Sequence, residues 1–421
     1  MAFAHALARL KRQPLDDLPI FNQVEQLCND CNHLWRDRLL PPLVTLKLFL
    51  LQVLHGNTAI AHLRQLASMD FTPSSYCEAR QRLPLEVILG LLAGLVQWAD
   101  DHLRRDERLL GQRILIVDGS SFSIADTPQL REHFGLYPGA RPGVGYPMGK
   151  LLGLLDSVTG MFVQMLALPV LVHDLSNVVA VHSVLKAGDI LLGDRAFCSF
   201  AHFVLLSQRG VFACCRLHQN RKDQHGRSGS YCWQKGPRCP AWMNPQQYQA
   251  MAQSIQVRLV SYLVQHHGFR SQRVTVATTL LDEELWTDQA IAALYGQRWE
   301  IETCFDQLKT SLKMNVLRCQ SVAGVQKELA MYLLAYNLVR LAMLKTAKQQ
   351  SVAVNLISFI DAMRWLSVRM QGLAGTERLI INPARPGRSE PRVIRGRMKA
   401  YDLMVRPREE LKNAVKSGEN A

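Results

Sequence analysis

Residues 294–313 read LYGQRWEIETCFDQLKTSLK, and the fold turns on how this stretch is read. Leu294, Ile301, Phe305, Leu308 and Leu312 recur at the spacing of one buried helical stripe. At about 100° per residue, Tyr295, Arg298, Glu302 and Lys309 project onto a second arc directly beside the first. A single helix over the stretch would therefore set one carboxylate among two cations and a phenol, at the rim of a packed face. Arg298 and Glu302 would serve equally well as an i,i+4 ion pair on a solvated face. The rest of the chain has to decide between the two.

Working outward, a chain of 421 residues that is 48% hydrophobic and 20% charged suits two or three folded domains rather than one small core. Its 49 Lys and Arg against 35 acids leave a net charge of +14, which points to a polyanionic partner. The ten cysteines form no regular framework, and Cys214 and Cys215 are adjacent, as expected of reduced thiols in a cytosolic protein. Cys28-x-x-Cys31 with His33, and Cys232 and Cys239 with His218 and His225, lack a complete zinc-ligand spacing. The N-terminal MAFAHALARLKRQ has no apolar run of signal-peptide length, and the uncharged stretch 87–99 is too short to cross a bilayer. A cytoplasmic protein with no membrane partner is expected.

Residues 1–108 read as helical, with helices over 43–55, 59–69, 75–82 and 86–102, Thr58 and Ser74 as caps, and Pro84 as a stop. Arg80 and Arg82 after a helix pair permit a helix-turn-helix reading, and a plain helical bundle fits equally. At Arg113 the pattern changes. Ile114-Leu115-Ile116-Val117 is a continuous apolar run, the mark of a strand buried on both faces, and it ends in Asp118. Ile190-Leu191-Leu192-Gly193 repeats the pattern and ends in Asp194. Between them, apolar runs at 151–156 and 161–169 flank Ser157-Val158-Thr159-Gly160 as a hairpin, and a helix is expected over 177–186. A helix at 200–208 and a strand at 211–216 follow. GVGYPMGK at 143–150 misses a phosphate loop, because its first Gly is one position off, Leu151 replaces the Ser or Thr, and no strand precedes it. Residues 217–256 are polar and weakly periodic, like an insertion, and strands return at 257–264 and 273–281. A long apolar helix at 322–347 should pack on the core, and the Arg- and Pro-rich stretch 382–408 reads as a solvated basic tail.

Two buried strands thus each deliver an acid, Asp118 and Asp194, and one helix delivers Glu302. Carboxylates at element ends suit Mg2+, which prefers such oxygens and keeps water; two ions can activate the attacking oxygen and stabilise the leaving one in phosphodiester displacement. Arg298 and Lys309 stand within two turns of Glu302, placed for phosphates, and Tyr295 could stack on a base. On residue chemistry alone, Asp126, Asp156 and Asp189 compete as ligands.

The set Tyr295, Arg298, Glu302 and Lys309, with Asp118-Gly119-Ser120 and Gly193-Asp194-Arg195-Ala196-Phe197 ahead of it, resembles the Y-R-E-K signature group of bacterial insertion-sequence DDE transposases. Thr278-Thr279-Leu280-Leu281-Asp282 and the basic tail also fit, so the resemblance runs from about residue 70 to the end. It implies an α/β fold: an RNase H-like mixed-sheet catalytic core with a β-rich insertion, preceded by an all-helical N-terminal domain. The expected division is 1–108 helical and DNA-end-binding, 109–216 first part of the core, 217–272 insertion, 273–350 core completion, and 351–421 C-terminal helical region with basic tail. Asp118, Asp194 and Glu302 are implied as catalytic ligands of two Mg2+ ions, with Mn2+ able to substitute. Tyr295, Arg298 and Lys309 are implied as contacts to transposon-end DNA. The implied activity is cut-and-paste transposition through a hairpin intermediate, by a homodimer that pairs two terminal inverted repeats and inserts them into target DNA in the nucleoid. Trp233 and Trp242 are available in the insertion to stack on a flipped base, although no motif aligns either. A nuclease that only hydrolyses, or an inactive or domesticated end-binding relative, are the competing readings.

Overall fold

The computed structural model describes residues 21–36, 38–102, 108–136, 145–172, 174–264, 272–371 and 408–417. All but the last residue of the basic stretch 382–408, and all of MAFAHALARLKRQ, lie outside them. Eight strands form one sheet: β1 Ile114–Ser123, β2 Met148–Asp156, β3 Phe162–Pro169, β4 Ile190–Gly193, β5 Phe212–Arg216, β6 Gly229–Gln234, β7 Ser254–Val264 and β8 Gln272–Thr278, in the order β3-β2-β1-β4-β5-β8-β7-β6. β1, β4 and β5 run parallel, while β2, β3 and the β8-β7-β6 end pair antiparallel. The first five strands make the RNase H-like mixed sheet that the resemblance implied. The strands β6 and β7 extend that same sheet.

Strand alternation explains why the sheet is buried on both sides. Along β1, Ile114 and Ile116 point into one core, with the helices Pro42–Leu54, Leu85–His102 and Val322–Gln350. Leu115 and Val117 point into the other, with the helix Phe200–Gln208 and Trp233. The long helix Val322–Gln350 is buried along most of its length, which is why its sequence shows no one-sided stripe.

Several local expectations are corrected. The helix Pro73–Arg82 is capped by Thr72, whose hydroxyl accepts from Ser75 N, with Pro73 rather than Ser74 opening it. The next helix upstream starts at Ile60 with no side-chain cap, and the Thr58 hydroxyl meets His62 instead. The stretch expected as a helix at 177–186 is one short α turn, Asp174–Asn177, followed by the 3-10 segment Val178–Val184. The single helix expected over 294–313 is a continuous helical path of changing pitch: α over Asp288–Gly296, 3-10 over Gln297–Trp299, α over Glu300–Asp306 and π over Gln307–Ser311. Its stripe of Leu294, Ile301, Phe305, Leu308 and Leu312 is buried throughout.

Candidate active site

Register sets the first two acids together. Val117 of β1 is paired with Gly193 of β4 in the last matched step of the parallel ladder, so Asp118 and Asp194 are the next residue on each. Alternation puts Asp118 on the face of Ile114 and Ile116, and Asp194 on that of Ile190 and Leu192, the face the signature helix covers. β1 does not stop at Asp118 as the apolar run implied; it continues to Ser123, paired with β2. Asp118 lies opposite Gly153 in that pairing, and a Cβ at Gly153 would come within 2.9 Å of the Phe305 ring. The bare glycine lets the signature helix sit down on the sheet, which brings Glu302 over the two strands.

The guanidinium of Arg298 joins the two elements. Its Nη1 donates to Asp118 Oδ2 at 3.1 Å and its Nη2 to Glu302 Oε1 at 3.0 Å, with the residue only 6% exposed. The i,i+4 pair anticipated on a solvated face is thus the outer half of a three-residue bridge, whose inner half is Arg298 with Asp118. Burial pushes the Asp118 carboxyl up to about 6; the Gly119 N–H and Arg298 pull it back, while Asp194 and Glu302 push it further up. Tyr295 is buried, with its hydroxyl unpartnered, and burial raises that hydroxyl's pKa. Arg298 Nε also lacks a partner. Tyr295 and Arg298, expected to touch DNA directly, therefore face inward. Lys309 is half-buried, donates to Ser120 Oγ at 3.2 Å, and has its pKa lowered by burial.

Asp118, Ser120, Glu302 and Lys309 line, among others, a cleft of about 780 Å³, whose lining does not include Asp194, Tyr295 or Arg298. The competing acids lie elsewhere. Asp189 is clamped by Arg113 at 2.6 Å before β4, Asp126 by Arg131, and Asp156 caps its hairpin turn through Thr159. Trp233 is buried, donates its ring N–H to Gln224, and has Arg221 stacked 3.6 Å over it, while Trp242 is half-buried against the same core. Sequence reading passed over Trp299, which is 57% exposed and lies 4.6 Å from the Arg298 guanidinium. Its place beside Arg298 in the signature was the available signal.

A divalent cation fits the donor chemistry here. All three candidate ligands are carboxylates, two of them already share a cation in Arg298, and burial disfavours the Asp118 charge, which a bound cation would favour. Among the described residues no three His, Cys, Asp or Glu side chains are gathered closely enough to ligate together.

A family model described as Transposase DDE domain matches residues 109–338, more than half of the chain. The chain belongs to the transposase DDE domain family. The matched DDE domain contains Asp118, Asp194, Tyr295, Arg298, Glu302 and Lys309. The chain is 31% identical over 142 residues to Transposase InsG for insertion sequence element IS4 of Escherichia coli (strain K12). That similarity takes in 30% of this chain and 32% of InsG. Among solved structures, a cryo-EM piggyBac transposase synaptic complex with hairpin DNA aligns over 87% of this chain and 80% of its own, at 13% identity and a TM-score of 0.43. Among the described residues no single helix is long and apolar enough to cross a membrane.

Proposed function

We propose that this DDE-domain protein is an insertion-sequence transposase of the Y-R-E-K group, cutting DNA at terminal inverted repeats and joining the freed ends to target DNA. The observation that carries the reading is the meeting of Asp118, level with Asp194 one residue past the last β1–β4 pair, with Glu302 through a shared Arg298. Asp118, Asp194 and Glu302 would hold Mg2+, which when bound supplies charge neutralisation at the attacking and leaving oxygens of a phosphodiester. The side chains do the rest. Arg298 keeps the Asp118 and Glu302 carboxylates aligned and lowers their mutual repulsion before DNA arrives. Lys309, held by Ser120 and facing the cleft, pairs with a phosphate of the end DNA. Tyr295 acts from inside the fold, buried beside the Arg298 guanidinium rather than on the DNA itself.

On this reading residues 1–108 bind the repeat, 109–216 and 273–350 form the catalytic core, 217–272 is the insertion and 351–421 carries the basic tail, with two copies pairing two ends. The net charge of +14 supports a DNA partner. The test is a denaturing gel of a duplex bearing the inverted repeats that flank the gene, incubated with protein and Mg2+. Nicked and then hairpin-ended products are expected from the wild type and none from Glu302→Gln. Nicks without hairpins would favour the hydrolysing nuclease, and tight binding without cutting would favour an inactive end-binding protein.

A further inference from the structure

The cleft continues past Lys309 to a wall the catalytic reading does not use. Lys313 and Arg318, both exposed, line it together with Gly56 and Asn57 of the N-terminal helical region. Acids therefore lie at one end and two further cations at the other. The loop bearing those cations is held unusually firmly for an exposed segment. Ser123 of β1 donates to Asn315 O at 2.9 Å and accepts from Leu317 N at 2.9 Å. Tyr332 donates to Lys313 O at 3.4 Å, where Lys313 has the left-handed φ of 63°.

Beyond Leu317 the anchor is Glu328, a carboxylate with no exposure at all. It accepts from Arg318 N at 3.1 Å and from Cys319 N at 2.9 Å, and its Oε1 also accepts from the Asn57 amide. A fully buried carboxylate is retained only when its lone pairs are filled. Here the donors come from two places, the loop after the signature helix and the turn after the helix Pro42–Leu54. Gly56 in that turn takes the left-handed φ of 67° that favours glycine, and the place a Cβ would occupy lies 2.8 Å from Lys313 Cδ. The turn and the loop thus touch through Lys313 above and Glu328 below.

We propose that Lys313 and Arg318 form a second phosphate-binding row in the cleft, and that the Glu328–Asn57 pair is the latch that positions it. The ligand is the sugar-phosphate backbone of the DNA strand leaving the catalytic acids. Glu328 and Asn57 are positioning residues; they act through the loop. The inference rests on the proposed DNA-cutting function.

The test exchanges the latch chemistry. Asn57→Asp sets two carboxylates against each other in a buried site, whereas Asn57→Asp with Glu328→Gln restores one donor and one acceptor, since Asp tolerates the left-handed φ of residue 57. The single variant should raise the KM for repeat-end duplex about tenfold with kcat within about threefold, and the double variant should return KM to within about threefold of wild type, separating ground-state binding from chemistry. Lys313→Ala with Arg318→Ala should reduce the slope of log affinity against log salt by about two. Hydrogen exchange of amides 315–320 should quicken in the single variant and recover in the double. A single variant with unchanged KM, a loss the exchange does not rescue, or an unchanged salt slope would each overturn the proposal. If the wild type neither binds nor cuts DNA, the proposed function falls and the phosphate row with it, while hydrogen exchange still reports whether the latch exists.

Discussion

Arg298 carries the most consequential residue-scale finding. Two parallel donors from one rigid fork reach Asp118 and Glu302, a geometry a lysine cannot reproduce because its ammonium is a single point. Arg298→Lys should therefore lower the cleavage rate at least about tenfold while leaving the salt dependence of DNA binding near that of wild type, since a buried guanidinium neutralises no phosphate in the free protein. A salt slope reduced by about one would instead place Arg298 on the DNA backbone. Helical spacing alone groups Tyr295, Arg298, Glu302 and Lys309 on one arc, but an arc says which residues are neighbours and not which way the helix is rolled. The roll is set by the stripe from Leu294 to Leu312 packing on the sheet, and it turns Tyr295 and Arg298 inward. Asp118 and Asp194 were legible because an acid closing a buried apolar run stands out, whereas the dismissal of Asp126, Asp156 and Asp189 needed their partners.

At the scale of elements, the site depends on how closely the signature helix approaches β1 and β2. Gly153 sets that distance. Gly153→Ala would drive a methyl into Phe305 and Phe162, costing roughly 1–3 kcal/mol by overpacking. Thermal unfolding should show the loss, and cleavage should fall further than Tm because Glu302 is lifted from Asp118; a variant that loses stability but cuts at the wild-type rate would contradict this. A buried histidine pair supports the turn after β4. His202 Nδ1 faces Phe197 O at 2.8 Å, and Phe197 N donates to Asp194 O. With Nδ1–H of His202 donating, its Nε2 accepts from His182 Nε2–H at 3.1 Å, and His182 Nδ1 is left as a bare acceptor, consistent with its lack of a partner. Both rings are neutral, with burial pulling His182 down to about 3 and His202 to about 4. The unfolded chain takes up these protons near the ordinary pKa of 6.5 and the folded one does not. Stability is therefore full above that pH and lost as pH falls toward the folded values, at up to about 1.4 kcal/mol per unit for each ring. Urea unfolding of His182→Phe should show a shallower loss of stability with acid than wild type; equal slopes would contradict the neutral pair.

For the whole molecule, the mixed α/β character was readable from alternating strand and helix patterns, and the two-sided burial of β1 and β4 from their unbroken apolar runs. What the patterns could not carry was strand order. Nothing local in 229–234 or 254–264 says that these segments extend the core sheet beyond β8, because pairing partners are fixed by tertiary packing. The same limit hid Trp233, polar in its surroundings along the chain yet buried beneath the helix Phe200–Gln208. The joining of the N-terminal turn to the cleft through Glu328 was likewise invisible, since Asn57 and Glu328 lie far apart in sequence.

The central claim is that the sheet gathers Asp118 and Asp194 under Glu302 for cation-dependent cutting of DNA, and Asp194 is the member placed by register alone. The most direct measurement is single-turnover cleavage of the repeat-end duplex in Mg2+ by wild type and Asp194→Asn, with duplex affinity measured in parallel. A rate loss of about a thousandfold or more at nearly unchanged affinity is expected, because the substitution removes a ligand charge while preserving shape. Cleavage by Asp194→Asn within about tenfold of wild type would contradict it.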